Sequence, residues 1–295
     1  MMLIYTPNAA SGMNEPFEIL ADRPPYQLER GSLQGFGGVN AVHMTHQSPN
    51  QNGSRYFFSR YDARMLSFGF LIFADDWDDM QDRKQHIAKV FSAAYGAGTL
   101  RLYTNLSNTK CYDISAVPDG NPSMFSTIKN LSDLVCKCTV DLTAYSPFWR
   151  DPVTKSTQFT TYGGFQLPFA YDFSLGTIGG GNVVNQGQVQ TPAKIILHGP
   201  FTNPVLTNER TGESIKVIAS IDEGERLVID TNPETSSVTR IDAHGFETSM
   251  FNAVSTDSSF WQIQPGGNMI SYSDSESWGE LPIEIEWNDC FVGVF

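Results

Sequence analysis

The sequence predicts a mainly β protein of the α+β class, with an N-terminal β domain that carries one packed helix and a C-terminal β-sandwich. Three observations predict it. Apolar and polar residues alternate along much of the chain, one long amphipathic segment interrupts them at about residues 75–95, and turn dipeptides crowd the stretch beyond residue 150. The 295 residues are enough for two domains, each with its own core. Hydrophobic residues make up 40% of the chain and charged residues 17%, which excludes a disordered polymer.

The first strong element is Arg64 to Phe73. Leu66, Phe68, Phe70 and Ile72 share one face, and Met65, Leu71 and Phe73 are apolar on the other, so both faces are expected to be covered. The helix follows at 75–95. Trp77, Met80, Ile87, Phe91 and Ala94 fall near one stripe, broken by Lys84. Asp75, Asp76, Asp78 and Asp79 stand at its positive dipole end, Arg83, Lys84 and Lys89 come later, and Gly96 and Gly98 stop it. Leu100 and Leu102 then alternate with Arg101 and Tyr103. Cys136, Cys138, Val140 and Leu142 alternate with Val135, Lys137, Thr139 and Asp141.

Beyond Pro147-Phe148-Trp149-Arg150-Asp151-Pro152 no helical period recurs. Gly199-Pro200, Thr211-Gly212, Glu223-Gly224, Asn232-Pro233, His244-Gly245 and Pro265-Gly266 mark turns between short β-rich runs, the spacing of a sandwich. Gly176 to Gly187, rich in Gly and Asn, reads as a loop. Near the end Ile283, Ile285 and Trp287 alternate with Glu284 and Glu286. The domain boundary is placed near 150, giving domains 1–150 and 151–295.

The net charge is -13, which argues against nucleic-acid wrapping and against binding to anionic membranes. It divides unevenly: residues 1–150 hold 13 basic and 14 acidic side chains, residues 151–295 hold 6 and 18. No basic leader precedes a long apolar run. The longest apolar stretch, Phe68 to Ala74, is far short of the ~20 residues of a membrane helix. Four scattered cysteines, Cys111, Cys136, Cys138 and Cys290, make no disulfide framework, and a cytoplasmic site of synthesis with reduced thiols is expected.

Chemistry-bearing motifs are sparse. Gly35-Phe36-Gly37-Gly38 and Gly179-Gly180-Gly181 lack the strand–glycine–helix setting of a dinucleotide site and read as turns or loops. There is no Walker-type phosphate loop and no nucleophile elbow. His43 and His46 sit three apart, which on an extended chain sends them to opposite sides. Cys136 and Cys138 share a strand face but have no second ligand pair at zinc-finger spacing, so buried thiols are the simpler reading. Asp75-Asp76-Trp77-Asp78-Asp79 lacks the calcium-loop pattern, and a helix start explains it. Glu280, Glu284 and Glu286 lie near Trp278 and Trp287, but no separate acid and nucleophile can be assigned for a glycosidase. The glycosylation-type triplets at Asn52, Asn105 and Asn130 carry no weight without a secretory signal. No catalytic, cofactor-binding or metal residue is assigned, so a binding or structural role is favoured over an enzyme.

The order of elements resembles the distal tail protein of siphophages, the long-tailed phages with non-contractile tails. In the first half the likeness lies in the Arg64 to Phe73 strand running into the helix, then Gly98-Thr99-Leu100-Arg101-Leu102, Tyr112-Asp113-Ile114, and Cys136 to Leu142 ending in Ala144-Tyr145-Ser146-Pro147-Phe148-Trp149. In the second half it lies in Asn185-Gln186-Gly187, Thr191 to Gly199, Asn203-Pro204 through Gly212, Gly224 to Thr231, and Ser258 to Asn268. The likeness covers most of residues 64–270; it is weak before Arg64, and residues 271–295 have no assigned role.

The resemblance implies a structural virion protein without catalysis or cofactor. Its first domain would be barrel-like and build a hexameric ring continuing the tail tube. Its second would be a galectin-like sandwich projecting outward. Implied partners are other copies in a homo-hexamer, the tail-tube protein, and tail-tip and receptor-binding proteins. The implied location is the phage tail tip or baseplate. Two alternatives come with it: a major tail-tube protein, and a host-wall carbohydrate-binding module stacking sugars on exposed Trp261, Trp278 or Tyr272. On the hub reading the nearly neutral half forms the ring, and the acidic half faces solvent or tail-tip partners.

Overall fold

The computed structural model describes residues 1–12, 15–104, 110–125, 134–161, 178–275 and 281–294. The chain forms two compact units, Met1–Pro152 with Phe291–Phe295, and Val153–Cys290. The expected second domain ran to residue 295. The structure instead returns the last residues to the first unit, because Val294 is buried in that unit's core and Phe291 packs against it.

Unit 1 contains β1 (Met2–Thr6), β2 (Phe17–Leu20), β3 (Tyr26–Leu28), β4 (Ala41–His46), β5 (Arg55–Tyr61), β6 (Arg64–Phe73), α1 (Trp77–Val90), β7 (Gly98–Tyr103), β8 (Cys111–Pro118), β9 (Ser123–Phe125), β10 (Val135–Ala144) and β11 (Trp149–Arg150). Seven of these strands close into a barrel in the order β8-β7-β1-β2-β3-β6-β10. Antiparallel pairs Leu142↔Pro118 and Thr143↔Val117 join the last strand to the first. Only β2 and β3 pair in parallel within it, at Leu20↔Gln27. Closure leaves these strands with no free ladder edge.

The barrel interior follows from the period of two. Leu66, Phe68, Phe70 and Ile72 of β6 point inward, and β10 opposes them in full register with Cys136, Cys138, Val140 and Leu142. The outer face of β6 is less covered than expected: Leu71 and Phe73 are half-buried and Met65 is exposed.

The helix is shorter than expected, at Trp77–Val90, with a separate 3-10 turn at Ala93–Tyr95. Asp76 caps it, its side chain accepting from the Asp79 amide, and Phe91 ends it. Its buried stripe is Met80, Ile87 and Val90, continued by Phe91, whose ring stacks on Tyr5 at 4.7 Å. Trp77 and Ala94 lie outside this stripe and are exposed, since the first sits in the opening turn and the second belongs to the 3-10 turn. No helix among the described residues is long and apolar enough to cross a membrane.

Unit 2 is a sandwich of two larger sheets, with one further two-stranded sheet. Its strands are β12 (Lys155–Thr161), β13 (Ile178–Asn185), β14 (Ala193–His198), β15 (Phe201–Thr202), β16 (Val205–Asn208), β17 (Glu213–Lys216), β18 (Ser220–Ile221), β19 (Arg226–Asp230), β20 (Ser237–Ile241), β21 (Glu247–Ser249), β22 (Gly266–Ser273) and β23 (Leu281–Trp287). A final strand, β24 (Cys290–Phe291), closes the element order. One sheet runs β12-β23-β14-β19-β20-β21 and the other β13-β22-β16-β17. Their inward rows, among them Ile195, Leu197, Ile229 and Ile283 from one and Val183, Leu206 and Ile270 from the other, make a single core.

The segment read as a loop over 176–187 is largely strand. Residues 178–185 pair with β22 along their whole length. Its glycines are needed for close approach, because a Cβ on Gly181 would stand 2.4 Å from the Phe159 ring.

Candidate functional site

Among the described residues the largest concentration of exposed apolar side chains lies on the β4–β5 hairpin, a separate two-stranded sheet in unit 1. Every residue of β5 is exposed, and Tyr56, Phe57 and Phe58 are 58%, 55% and 55% accessible. A strand inside a sheet hides at least one face; this one hides neither, so its three consecutive aromatics have no core to serve.

The pairing runs Ala41↔Tyr61, Val42↔Arg60, His43↔Ser59, Met44↔Phe58, then shifts to Thr45↔Tyr56 and His46↔Arg55. The shift makes Phe57 the extra residue of a bulge. Arg55 lies over the Phe57 ring at 5.4 Å. Ser59 Oγ is 2.6 Å from His43 Nδ1 and 2.9 Å from the Tyr56 hydroxyl, which ties the two strands across one face. Residues 41–61 contain Arg55 and Arg60 and no carboxylate, in a chain of net charge -13. The ribbon is therefore apolar, aromatic and locally cationic, which suits docking.

The residues singled out by sequence go elsewhere. His43 and His46 both stand exposed on β4, and no group of three metal-ligating side chains occurs among the described residues. Asp76 is occupied as the helix cap. Asp79 pairs with Arg83 at 2.7 Å, and that hydrogen bond holds its carboxyl below the usual range. Cys136 and Cys138 are buried in the barrel, and burial pushes the Cys138 thiol up to about 12, so it packs as a neutral hydrophobe.

Glu284 and Glu286 stand outside the sheet while Ile283, Ile285 and Trp287 point into the core, and Glu286 lies 3.5 Å from Lys194. Glu280 and Trp278 fall outside the described residues. The other two aromatics considered for sugar stacking are 1% exposed. Trp261 Nε1 donates to the Leu206 carbonyl at 3.3 Å, and the Tyr272 hydroxyl donates to Asp274 at 2.8 Å. Burial raises the Tyr272 phenol, with the Asp274 charge adding to it. Both are core residues with their polar atoms satisfied, which removes them from a carbohydrate platform.

Sequence reasoning missed the hairpin because its signal is an exception to the alternation rule. The available clue was the absence of any carboxylate between Glu29 and Asp62 around a Tyr-Phe-Phe run.

Two sequence families match the chain in chain order. Residues 25–128 match the phage tail protein RIFT-related domain, and residues 186–291 match the siphovirus-type tail component, C-terminal domain. The chain belongs to the siphophage distal tail proteins. It shares its fold with SPP1 Dit (gp 19.1), described as a paradigm of the hub adsorption apparatus in phages infecting Gram-positive bacteria. That match has 12% identity and a TM-score of 0.66, over 99% of each chain. Similar folds occur in the phage P2 baseplate in its activated conformation. The calcium form gives 9% identity and a TM-score of 0.50, the strontium form 9% and 0.51, each covering 96% of this chain and 97% of the other. No curated protein matches the chain by sequence. Distal tail proteins are structural components of the tail hub, and this chain is one of them. An assembly role accords with an exposed aromatic ribbon.

Proposed function

We propose that six copies of this chain close into a ring at the distal end of a siphophage tail, joining the tail tube to tail-tip and receptor-binding proteins without catalysis. The observation that carries this reading is the β4–β5 ribbon. Exposed large apolar side chains on both faces of a two-stranded sheet cost solubility unless a partner covers them, and a repeated copy is the partner always present at equal concentration. A heterologous contact of that kind closes into a ring when the rotation per subunit is a simple fraction of a turn.

Charge supports the division of labour. Unit 1 holds 13 basic and 15 acidic side chains, and unit 2 holds 6 and 17. Six copies of a nearly neutral unit meet at little electrostatic cost, whereas six copies of a unit of net charge -11 repel. Unit 2 is therefore assigned to solvent and to tail-tip partners. Synthesis takes place in the host cytoplasm and the final location is the virion tail.

Native mass spectrometry of the full chain tests the ring. The expected species is a closed hexamer. The double variant Phe57→Ser, Phe58→Ser is expected to remain monomeric with an unchanged melting temperature. A wild-type monomer at every attainable concentration, or a ring that survives the double substitution, overturns the reading.

A further inference from the structure

The hairpin stands on one buried cation. Arg64 lies three residues beyond the end of β5 and is 2% exposed. Its Nε donates to the Pro147 carbonyl at 2.7 Å. Its Nη1 donates to the carbonyls of Gly35 at 2.8 Å and Phe36 at 3.3 Å, and its Nη2 donates to that of Val292. None of these partners is a carboxylate. Burial pulls the guanidinium down to about 10, so it stays charged at neutral pH and its protons depend on backbone carbonyls.

Those carbonyls come from three places far apart in sequence. Gly35 and Phe36 precede β4, so Arg64 grips the chain on both sides of the hairpin. Pro147 precedes Phe148, whose ring meets Tyr61 of β5 edge-on at 5.5 Å. Val292 belongs to the segment that returns to unit 1 after unit 2 is complete.

The surrounding backbone leaves no slack. Gly35 has φ +80, and a Cβ there would stand 1.9 Å from the Met65 carbonyl oxygen. A Cβ on Gly293 would stand 2.2 Å from the Gly37 carbonyl oxygen. The Asp62 amide donates to Asn40 O at 3.0 Å, and Gln34 and Ser67 exchange bonds of 2.8 and 3.1 Å. The loop that leads into the hairpin is thus held between the start of β6 and residues 292–294.

We infer that Arg64 is a positioning residue that sets the hairpin on the barrel, and that docking of residues 291–294 completes this setting. The consequence for assembly rests on the ring reading. The aromatic ribbon is then presented in its docking geometry only once the chain beyond unit 2 has been made and has folded back. Growing chains would be kept from docking before their second unit exists. The device has the form of a latch, with the guanidinium as its pin and Val292 as its last contact.

The test uses the full-length protein and two variants, Gly293→Val, whose side chain collides with Gly37, and Arg64→Lys, which keeps the charge but loses the fork. Hydrogen exchange on the monomer at low concentration reads the hairpin root without needing assembly. The Gln34 and Asp62 amides are expected to exchange at least about tenfold faster in both variants, while the ladder amides of β1, β7 and β8 stay at the wild-type rate. Native mass spectrometry is expected to show loss of the ring in both.

Wild-type exchange at the root in either variant overturns the proposal. So does equal loosening of root and barrel, because residues 291–294 would then hold the whole barrel and not the hairpin. The Phe57→Ser, Phe58→Ser protein separates the two readings, since it should lose assembly while keeping a protected root. If the wild type forms no ring yet the root loosens in both variants, the ring reading falls and the latch stands.

Discussion

Between Ala41 and Tyr61 unit 1 exposes Met44, Tyr56, Phe57, Phe58 and Tyr61 on one ribbon that carries two arginines and no carboxylate. Unit 2 exposes Val153, Val184, Ile218, Phe246, Phe251 and Met269, but these are spread over strands, loops and a 3-10 helix, in a unit with 17 carboxylates against six basic side chains. Scattered apolar residues on a soluble surface are ordinary, whereas a set this dense on a hairpin paired with no other strand marks a surface made to be covered. Both units bury their cores by the same period-two rule. They differ in what they leave outside, and the proposed division between an assembling unit and a solvated one rests on that difference.

The largest expected effect tests whether the units are separate in energy as well as in contacts. Phe68 is fully buried in the barrel, and Phe68→Ala should cost about 3–5 kcal/mol. Calorimetry should show two transitions, with only that of unit 1 moving down. One shared transition shifting as a whole would dissolve the comparison.

Alkaline pH should separate the units next. The buried Cys138 thiol, at about 12 in the folded state, ionises near 9.0 once unfolded, so the folded chain holds the extra proton and stability falls as pH rises through 9. Between pH 9 and 10 the loss from this thiol is about 1 kcal/mol. Above 10 the buried phenol of Tyr5, raised to about 12, adds to the loss, while Arg64, drawn down to about 10, opposes it. Tyr272, the raised phenol of unit 2, begins to act only from its ordinary value of 10.0. Melting followed at pH 9 to 10 should thus move unit 1 first; an earlier fall of unit 2 would contradict the assignment.

Removal of the helix cap by Asp76→Ala should cost about 1 kcal/mol. The change belongs to unit 1 alone, and a shift of both transitions would count against independent units. The smallest effect is expected from salt. Screening the self-repulsion of a unit of net charge -11 should raise the unit 2 transition by a few degrees between low and 0.5 M salt and leave unit 1 nearly unmoved. Equal response of the two would mean that the charge division has no energetic content.

Much of the fold was legible from alternation. Strands β6, β7, β10 and β23 follow directly from rows such as Leu66-Phe68-Phe70-Ile72, because burial on one face imposes the period. What escaped was whatever breaks that link. The ribbon at 41–61 has no buried face, so its pattern carries no period for a reader to find. Residues 178–185 read as a loop because glycine lowers strand propensity, yet Gly181 is there to admit the Phe159 ring. Trp77 looked like core because it is large and apolar, but it sits in the first helical turn, where the aspartates already face solvent. The role of Arg64 was invisible for a different reason: its partners are backbone carbonyls, and a carbonyl looks the same in every residue.

The chain passes between its units twice, after Pro152 and after Cys290. Inside unit 2 the first and last strands are neighbours, with Lys155 opposite Trp287 and the Lys155 ammonium paired with the buried Asp289 carboxylate. A module whose two ends emerge side by side behaves as a cassette. It can be enlarged, shortened or exchanged for another fold with adjacent termini while the host barrel keeps its own closing strands. On the proposed ring reading, selection on what the tail meets and selection on how its subunits fit can then proceed on different stretches of one polypeptide.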